Sequence, residues 1–341
     1  MNNQNRRPVW LRDPLSTFLF FLILNSVTVM SPLAFSIAPV ILPVLLLHVL
    51  HQTGRSGFLA AALASALPYL VLGGISSGFA LMVPVLIMLG AVYLIWQRQL
   101  SWRWSILAAS LALLIGLLLN AFVSIYLISG SDILRVTSSV AENVRNELTN
   151  ALAASGYEIP LAQQQLIEQL KASVTPELVQ DLIPTLLICW SLIGGYLTLR
   201  FARRYLPSAL PVRQSVPWFA MLRIHPVLLM GFISLAMGGY LMAASSPRWG
   251  SLLFNTGYGV TLFLGMTGSL TFIWWSLSVN FRMRRRFPKM LLTLLALFYL
   301  PGEWMILAAI IDSVLDFRNA SGHSLWRWMT YQLTARAGKG E

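Results

Sequence analysis

At 341 residues, with 57% hydrophobic and only 11% charged, the chain carries less than half the ~25% charged residues of a typical soluble domain. Several apolar windows reach the ~20 residues that cross a hydrocarbon core. This excludes a soluble domain, and it excludes a membrane barrel, whose strands alternate in short segments. The net charge of +12 is no nucleic-acid signature, because the basic residues cluster between apolar runs, the positive-inside pattern of a polytopic membrane protein.

The expected fold is all-α: a transmembrane bundle of about eight spans plus a C-terminal re-entrant or ninth helix, with an extracytoplasmic helical hairpin. Residues 1–14 form a cytoplasmic N-terminus; Arg6-Arg7 precedes an apolar run but no convincing cleavage site follows, so the run reads as an anchor rather than a removed signal. Spans 1–5 occupy 15–129, at about 15–30, 34–50, 57–73, 79–96 and 105–129. Ser31-Pro32 separates the first two, since Pro disfavours helix in the residue before it, and Gly73 to Gly78 reads as a turn.

Residues 130–181 form an acidic extracytoplasmic helical hairpin. Ile133, Val136, Val140, Val144, Leu148 and Leu152 recur every three or four residues, the stripe of an amphipathic helix, and that stripe is expected to pack on the spans. Thr175-Pro176-Glu177 reads as N-cap, first-turn Pro and first-turn acid of the next helix. Spans 6–8 fill 182–280, at about 182–200, 226–244 and 252–280. A basic loop and C-terminal apolar hairpin occupy 281–315, and a polar, basic tail 316–341.

With the N-terminus inside, the cytoplasmic segments hold sixteen basic residues, including Arg200, Arg203, Arg204 and the cluster Arg282, Arg284, Arg285 and Arg286; the three short outside loops hold only Arg248. The end of the chain is then decided by depth. A ninth span over 290–311 would put Glu303 at mid-membrane, the costliest position for a carboxylate, and would export Arg318, Arg327, Arg336 and Lys339. A hairpin turning at Pro301-Gly302 avoids both, because non-helical backbone at depth is tolerated where protein buries it. Asp312 and Asp316 then end a helix where the macrodipole disfavours negative charge. The expected remedy is a structural clamp to Arg282, Arg284, Arg285 and Arg286.

No phosphate-binding GxxxxGK[ST] loop, HExxH helix or GxSxG elbow occurs, so no ATPase, metalloprotease or hydrolase chemistry is expected. No catalytic residue, cofactor or metal is expected: His48 and His51, three apart, have no acidic or thiol partner nearby. The lone Cys189 permits no intramolecular disulfide. Intramembrane polar residues are few. Asn25, Asn120 and Asn255 must face the bundle interior, as helix glue or as the lining of a solute cavity. Small residues repeat every four positions at Ala60/Ala64, Ala61/Ser65 and Thr261/Gly265/Ser269, marking faces where helices approach closely.

The terminal stretch "IIDSVLDFRN", with Asp312, Asp316, Phe317 and Arg318, resembles the YybS-like family of uncharacterised bacterial integral membrane proteins. That family is distantly similar to the S components of energy-coupling-factor transporters and to MreD. The resemblance implies a multi-pass protein of the bacterial inner membrane that captures or transports a small solute, another membrane subunit supplying the energy. The alternative is a non-enzymatic scaffold that recruits partners through its basic cytoplasmic loops, as MreD-like proteins do. The partners implied are the lipid bilayer, a small-molecule solute or a further membrane subunit, and not nucleic acid.

Overall fold

The computed structural model describes residues 13–72, 74–98, 100–128, 130, 132–154, 161–206, 219, 222, 224–279, 281, 283 and 285–318. Among them there is no strand. The helices are α1 (Pro14–Met30), α2 (Pro32–Leu72), α3 (Gly74–Arg98), α4 (Trp102–Phe122) with a π-helical continuation (Val123–Ile128), α5 (Ile133–Ala154), α6 (Leu161–Ser173), α7 (Pro176–Tyr205), α8 (Pro226–Met242), α9 (Pro247–Val279), α10 (Arg286–Tyr299) and α11 (Gly302–Leu315). Five are long and apolar enough to cross a membrane, at Ala34–Leu72, Gly78–Arg98, Trp102–Tyr126, Pro176–Tyr205 and Pro247–Val279; α1 and α8 are shorter apolar helices. The chain divides into two compact units. One holds α1 to α6 and most of α7; the other holds Asp181–Thr185 of α7 with α8 to α11.

In the first unit, Asp13 caps α1: its carboxylate accepts from the Ser16 amide at 2.6 Å, and Pro14 takes the first helical position. Such a cap supplies a partner that the first turn lacks. Helix α2 is not one rod. Phe35 and Tyr69 lie 34 residues apart, about 51 Å along a straight helix, yet their rings sit 5.8 Å apart. The chain reverses at Gly54, whose φ of 75° and ψ of −161° fall in a region essentially reserved for glycine. The two arms, 32–53 and 55–72, contribute Leu42, Leu46 and Val49, and Ala61, Ala64 and Tyr69, to one buried cluster with Phe21 of α1. The Ala61/Ser65 face is thus a packing face. A second cluster joins Val40, Met88, Leu113 and Leu199 from α2, α3, α4 and α7, and Thr198 donates to the Val40 carbonyl at 3.1 Å.

In the second unit α8 and α9 are antiparallel at backbone contact. A Cβ placed on Gly257 would fall 2.4 Å from the Ala236 nitrogen, and one on Gly250 2.4 Å from the Ala243 Cα. The next face of α9 seats α11. Gly265 meets Ile306, Gly268 meets Ala309, and the Ser269 hydroxyl donates to the Met305 carbonyl. Residue numbers rise together along the two helices, so α11 runs parallel to α9. Helix α10 returns beside the end of α9, where the Lys289 ammonium donates to Ser278 at 3.2 Å and lies 5.7 Å from the centre of the Trp274 ring. The α10–α11 turn brings Gly302 against Leu262, near the midpoint of α9.

Helix α7 starts at Pro176, where Thr175-Pro176-Glu177 was expected to open it: Thr175 caps the helix by accepting from the Leu178 amide at 3.2 Å, six residues before the apolar window at 182. Helix α9 starts at Pro247 rather than about 252. Of the α5 stripe, Ile133 and Val136 are half-buried, Val140 and Val144 are 41% and 40% exposed, and the Leu148 and Leu152 side chains lie outside what is described; beside the stripe Thr137 and Ala141 are buried and Leu134 is 48% exposed.

Candidate functional site

Each of the three asparagines singled out by the sequence makes side-chain hydrogen bonds within its own unit. Asn25 is buried between α1 and both arms of α2. Its Nδ2 donates to the Phe21 carbonyl at 2.8 Å and to Ser65 Oγ at 3.3 Å. It also edges a groove of about 270 Å³ between α1 and the first arm, lined by aliphatic residues such as Ile37, Ile41 and Leu45. Asn120 is not among the residues lining that groove; its Oδ1 accepts from Ser124 Oγ, 3.2 Å away in the π-helical continuation. Asn255 belongs to the other unit.

Around Asn255 the second unit holds a polar cluster that sequence reading missed. Asp181 Oδ2 accepts from Ser251 Oγ at 2.5 Å and from Asn255 Nδ2 at 3.0 Å, and Asn255 Nδ2 also reaches Ser251 Oγ at 3.2 Å. One turn further along α7, Thr185 donates to the Asn255 carbonyl at 3.3 Å, and its methyl sits where a side chain on Gly259 would go. The α7 segment and α9 therefore run side by side, with Asp181, Ser251 and Asn255 half-buried in the seam. Among the described residues neither Asp181 Oδ1 nor Asn255 Oδ1 accepts a hydrogen bond. Two acceptors held by locked side chains and left open suit a positively charged or hydrogen-bond-donating group. The cue was present in Thr175-Pro176: a helix that starts there carries Asp181 into its second turn rather than leaving it in a loop.

At the end of α11, the structure gives Asp312 a different partner from the one expected. Arg318 forms a buried ion pair with it: Nε lies 3.1 and 3.3 Å from the two carboxylate oxygens, and Nη2 bonds Oδ2. Nη1 donates to the Leu222 carbonyl at 3.1 Å and Nη2 to the Gly268 carbonyl at 3.4 Å, and the guanidinium lies 5.8 Å from the centre of the Phe272 ring. Arg282 and Arg284 lie outside the described residues, while Arg285 and Arg286 are exposed at the start of α10. The physical reason is local. Asp316 adopts the left-handed conformation (φ 51°) as the C-cap of α11, a conformation Asp tolerates better than most residues, and this turns the chain back so that Arg318 reaches Asp312. Asp316 is itself buried. The segment before α8 is tied to the same place, since Ser313 donates to the Ile224 carbonyl at 2.9 Å and Thr271 to that of Leu222 at 3.0 Å.

Among the described residues no group of three or more His, Cys, Asp or Glu side chains is placed to hold a metal ion. No functionally curated protein and no solved structure matches the chain. A family model described as "Predicted membrane protein (DUF2232)" matches residues 18–313, a stretch that includes Asp181, Ser251, Asn255 and Asp312 and ends before Arg318. With most of its length matched, and with several helices apolar enough to span a bilayer, the chain is a multi-pass membrane protein belonging to the DUF2232 family.

Proposed function

We propose that the chain is a non-enzymatic capture protein for a small cationic solute, bound at the Asp181–Asn255 seam. The observation that carries this reading is the carboxylate itself. An ionisable side chain inside an apolar helix is costly and is usually retained for a ligand or pathway. Here Ser251 and Asn255 fix one carboxylate oxygen, and among the described residues no donor reaches the other or the amide oxygen of Asn255. In the proposed topology the eight apolar segments cross the bacterial inner membrane, with the sixteen basic residues in the cytoplasm. That topology puts the seam near the outer face, since Asn255 lies eight residues, about 12 Å, into α9. The α10–α11 hairpin is re-entrant: its turn sits near mid-α9, and both its ends stay on the cytoplasmic side. With no phosphate-binding loop in the chain, energy for any translocation comes from another subunit, as the S-component resemblance implies.

The test compares methylammonium chloride with tetramethylammonium chloride at fixed ionic strength, following thermal unfolding of the purified protein. A ligand that binds only the folded state raises the unfolding temperature by mass action. Methylammonium, which has N–H donors, is expected to raise it, and tetramethylammonium, which has none, is not. Asp181→Asn is expected to abolish the difference. Equal responses to the two salts in wild type would remove the cationic-solute reading. The scaffold reading, with basic cytoplasmic segments recruiting a partner, would then take its place.

A further inference from the structure

Helix α5 is an amphipathic helix whose apolar residues the protein only partly covers. At about 100° per residue, Val140, Val144, Thr137, Ala141 and Leu134 fall within one arc of about 120°, while Arg135, Ser139, Glu142, Asn146 and Thr149 lie opposite and are exposed. Within the arc, Thr137 and Ala141 are buried, and the three larger aliphatic side chains are not. A helix standing free in water would gain nothing from those exposed side chains.

The position of α5 says what meets them. Its first turn follows Ile128, the end of the π-helical continuation of α4, by only four intervening residues. Twelve residues further on, about 18 Å along the axis, Arg145 Nε donates to the Val174 carbonyl at 2.9 Å, two residues before α7 begins at Pro176. Both α4 and α7 are long and apolar enough to cross a membrane. A helix pinned at two points to the ends of two spans runs along the level where those spans leave the hydrocarbon. Its uncovered flank is aliphatic, without the aromatic or arginine anchors that concentrate energy at protein interfaces.

We infer that α5 lies in the plane of the membrane interface, with Leu134, Val140 and Val144 inserted among the lipid acyl chains and the Ser139–Glu142–Asn146 face in water. This is the habit of an interfacial amphipathic helix. It requires α4 and α7 to be membrane spans, but not a particular orientation or any ligand at Asp181, so it stands or falls separately from the capture reading.

The single cysteine makes the experiment direct. On a Cys189→Ser background, nitroxide labels are placed at Val140→Cys, Val144→Cys, Ser139→Cys and Asn146→Cys, and the full chain is reconstituted in phosphatidylcholine vesicles. Collision rates with oxygen, which partitions into lipid, and with a water-soluble nickel chelate are then compared at each site. The expected ratio of oxygen to nickel accessibility is several times larger at 140 and 144 than at 139 and 146. Equal ratios at all four sites would place the stripe in water. Suppressed collisions with both reagents at 140 and 144 would mean that protein covers it; either result overturns the inference.

Discussion

Replacing Arg318 by Met removes a guanidinium whose side chain is fully buried, and strands the carboxylate of Asp312, itself 3% exposed. The loss is larger than one ion pair. The Gly268 and Leu222 carbonyls each lose the Arg318 donor and keep the Thr271 hydroxyl, and the stranded charge sits at the C-terminal end of α11, where the helix dipole opposes it. Breaking a buried pair from one side costs about 3–5 kcal/mol, whereas replacing both partners by apolar groups of similar volume is often close to neutral. At roughly 3–5 °C per kcal/mol for a unit of this size, Arg318→Met should lower the unfolding temperature by about 10–20 °C. The Asp312→Leu/Arg318→Met double variant should recover most of that. Thermal unfolding in detergent, followed by helical circular dichroism and by tryptophan emission, reads both. The reasoning is refuted if Arg318→Met unfolds with wild type, or if the double variant is no more stable than the single one.

Three further outcomes follow from the packing. Gly54→Ala forces a Cβ into backbone that only glycine adopts readily, so it should cost about 1–3 kcal/mol; an unchanged unfolding temperature would mean that α2 reverses elsewhere. Gly257→Ala, with its Cβ 2.4 Å from the Ala236 nitrogen, should push α8 from α9 and destabilise the fold, whereas Gly238→Ala, which meets open space, should be silent; equal stability of the two would sink the close-contact assignment. Asn25→Leu removes the hydrogen bonds to Ser65 and Phe21 and should cost about 0.6–1.7 kcal/mol, the range of such bonds between membrane helices, while leaving the methylammonium response intact. Loss of that response would return Asn25 to the solute site.

The apolar runs were enough to locate the helices, because a span must be long and uncharged whatever it packs against. The break between 34–50 and 57–73 was legible as a short cytoplasmic segment carrying Arg55, although only the backbone names Gly54 as the turning residue. The Thr261/Gly265/Ser269 repeat showed that a helix would come close, but not which one, as any small-residue face accepts any neighbour. What escaped was decided over short distances. Asp181 was counted with the extracytoplasmic acids because the apolar window starts after it, although the cap read at Thr175 already carried it into the helix. Arg318, only six residues away, was passed over for the cluster of four arginines that ends at Arg286, and the left-handed turn at Asp316 is what brings it to Asp312. The stripe on α5 was correctly periodic, yet periodicity identifies a face and not what covers it.

The central claim, that Asp181 and Asn255 hold a small cationic solute, is tested most directly by native mass spectrometry of the protein purified from its own membrane in mild detergent. Wild type is expected to retain a low-mass, positively charged species that is released on collisional activation and is missing from Asp181→Asn at equal folded yield. A wild-type protein that carries no such species, or an Asp181→Asn variant that carries it at the same occupancy, would rule out a cationic solute at Asp181.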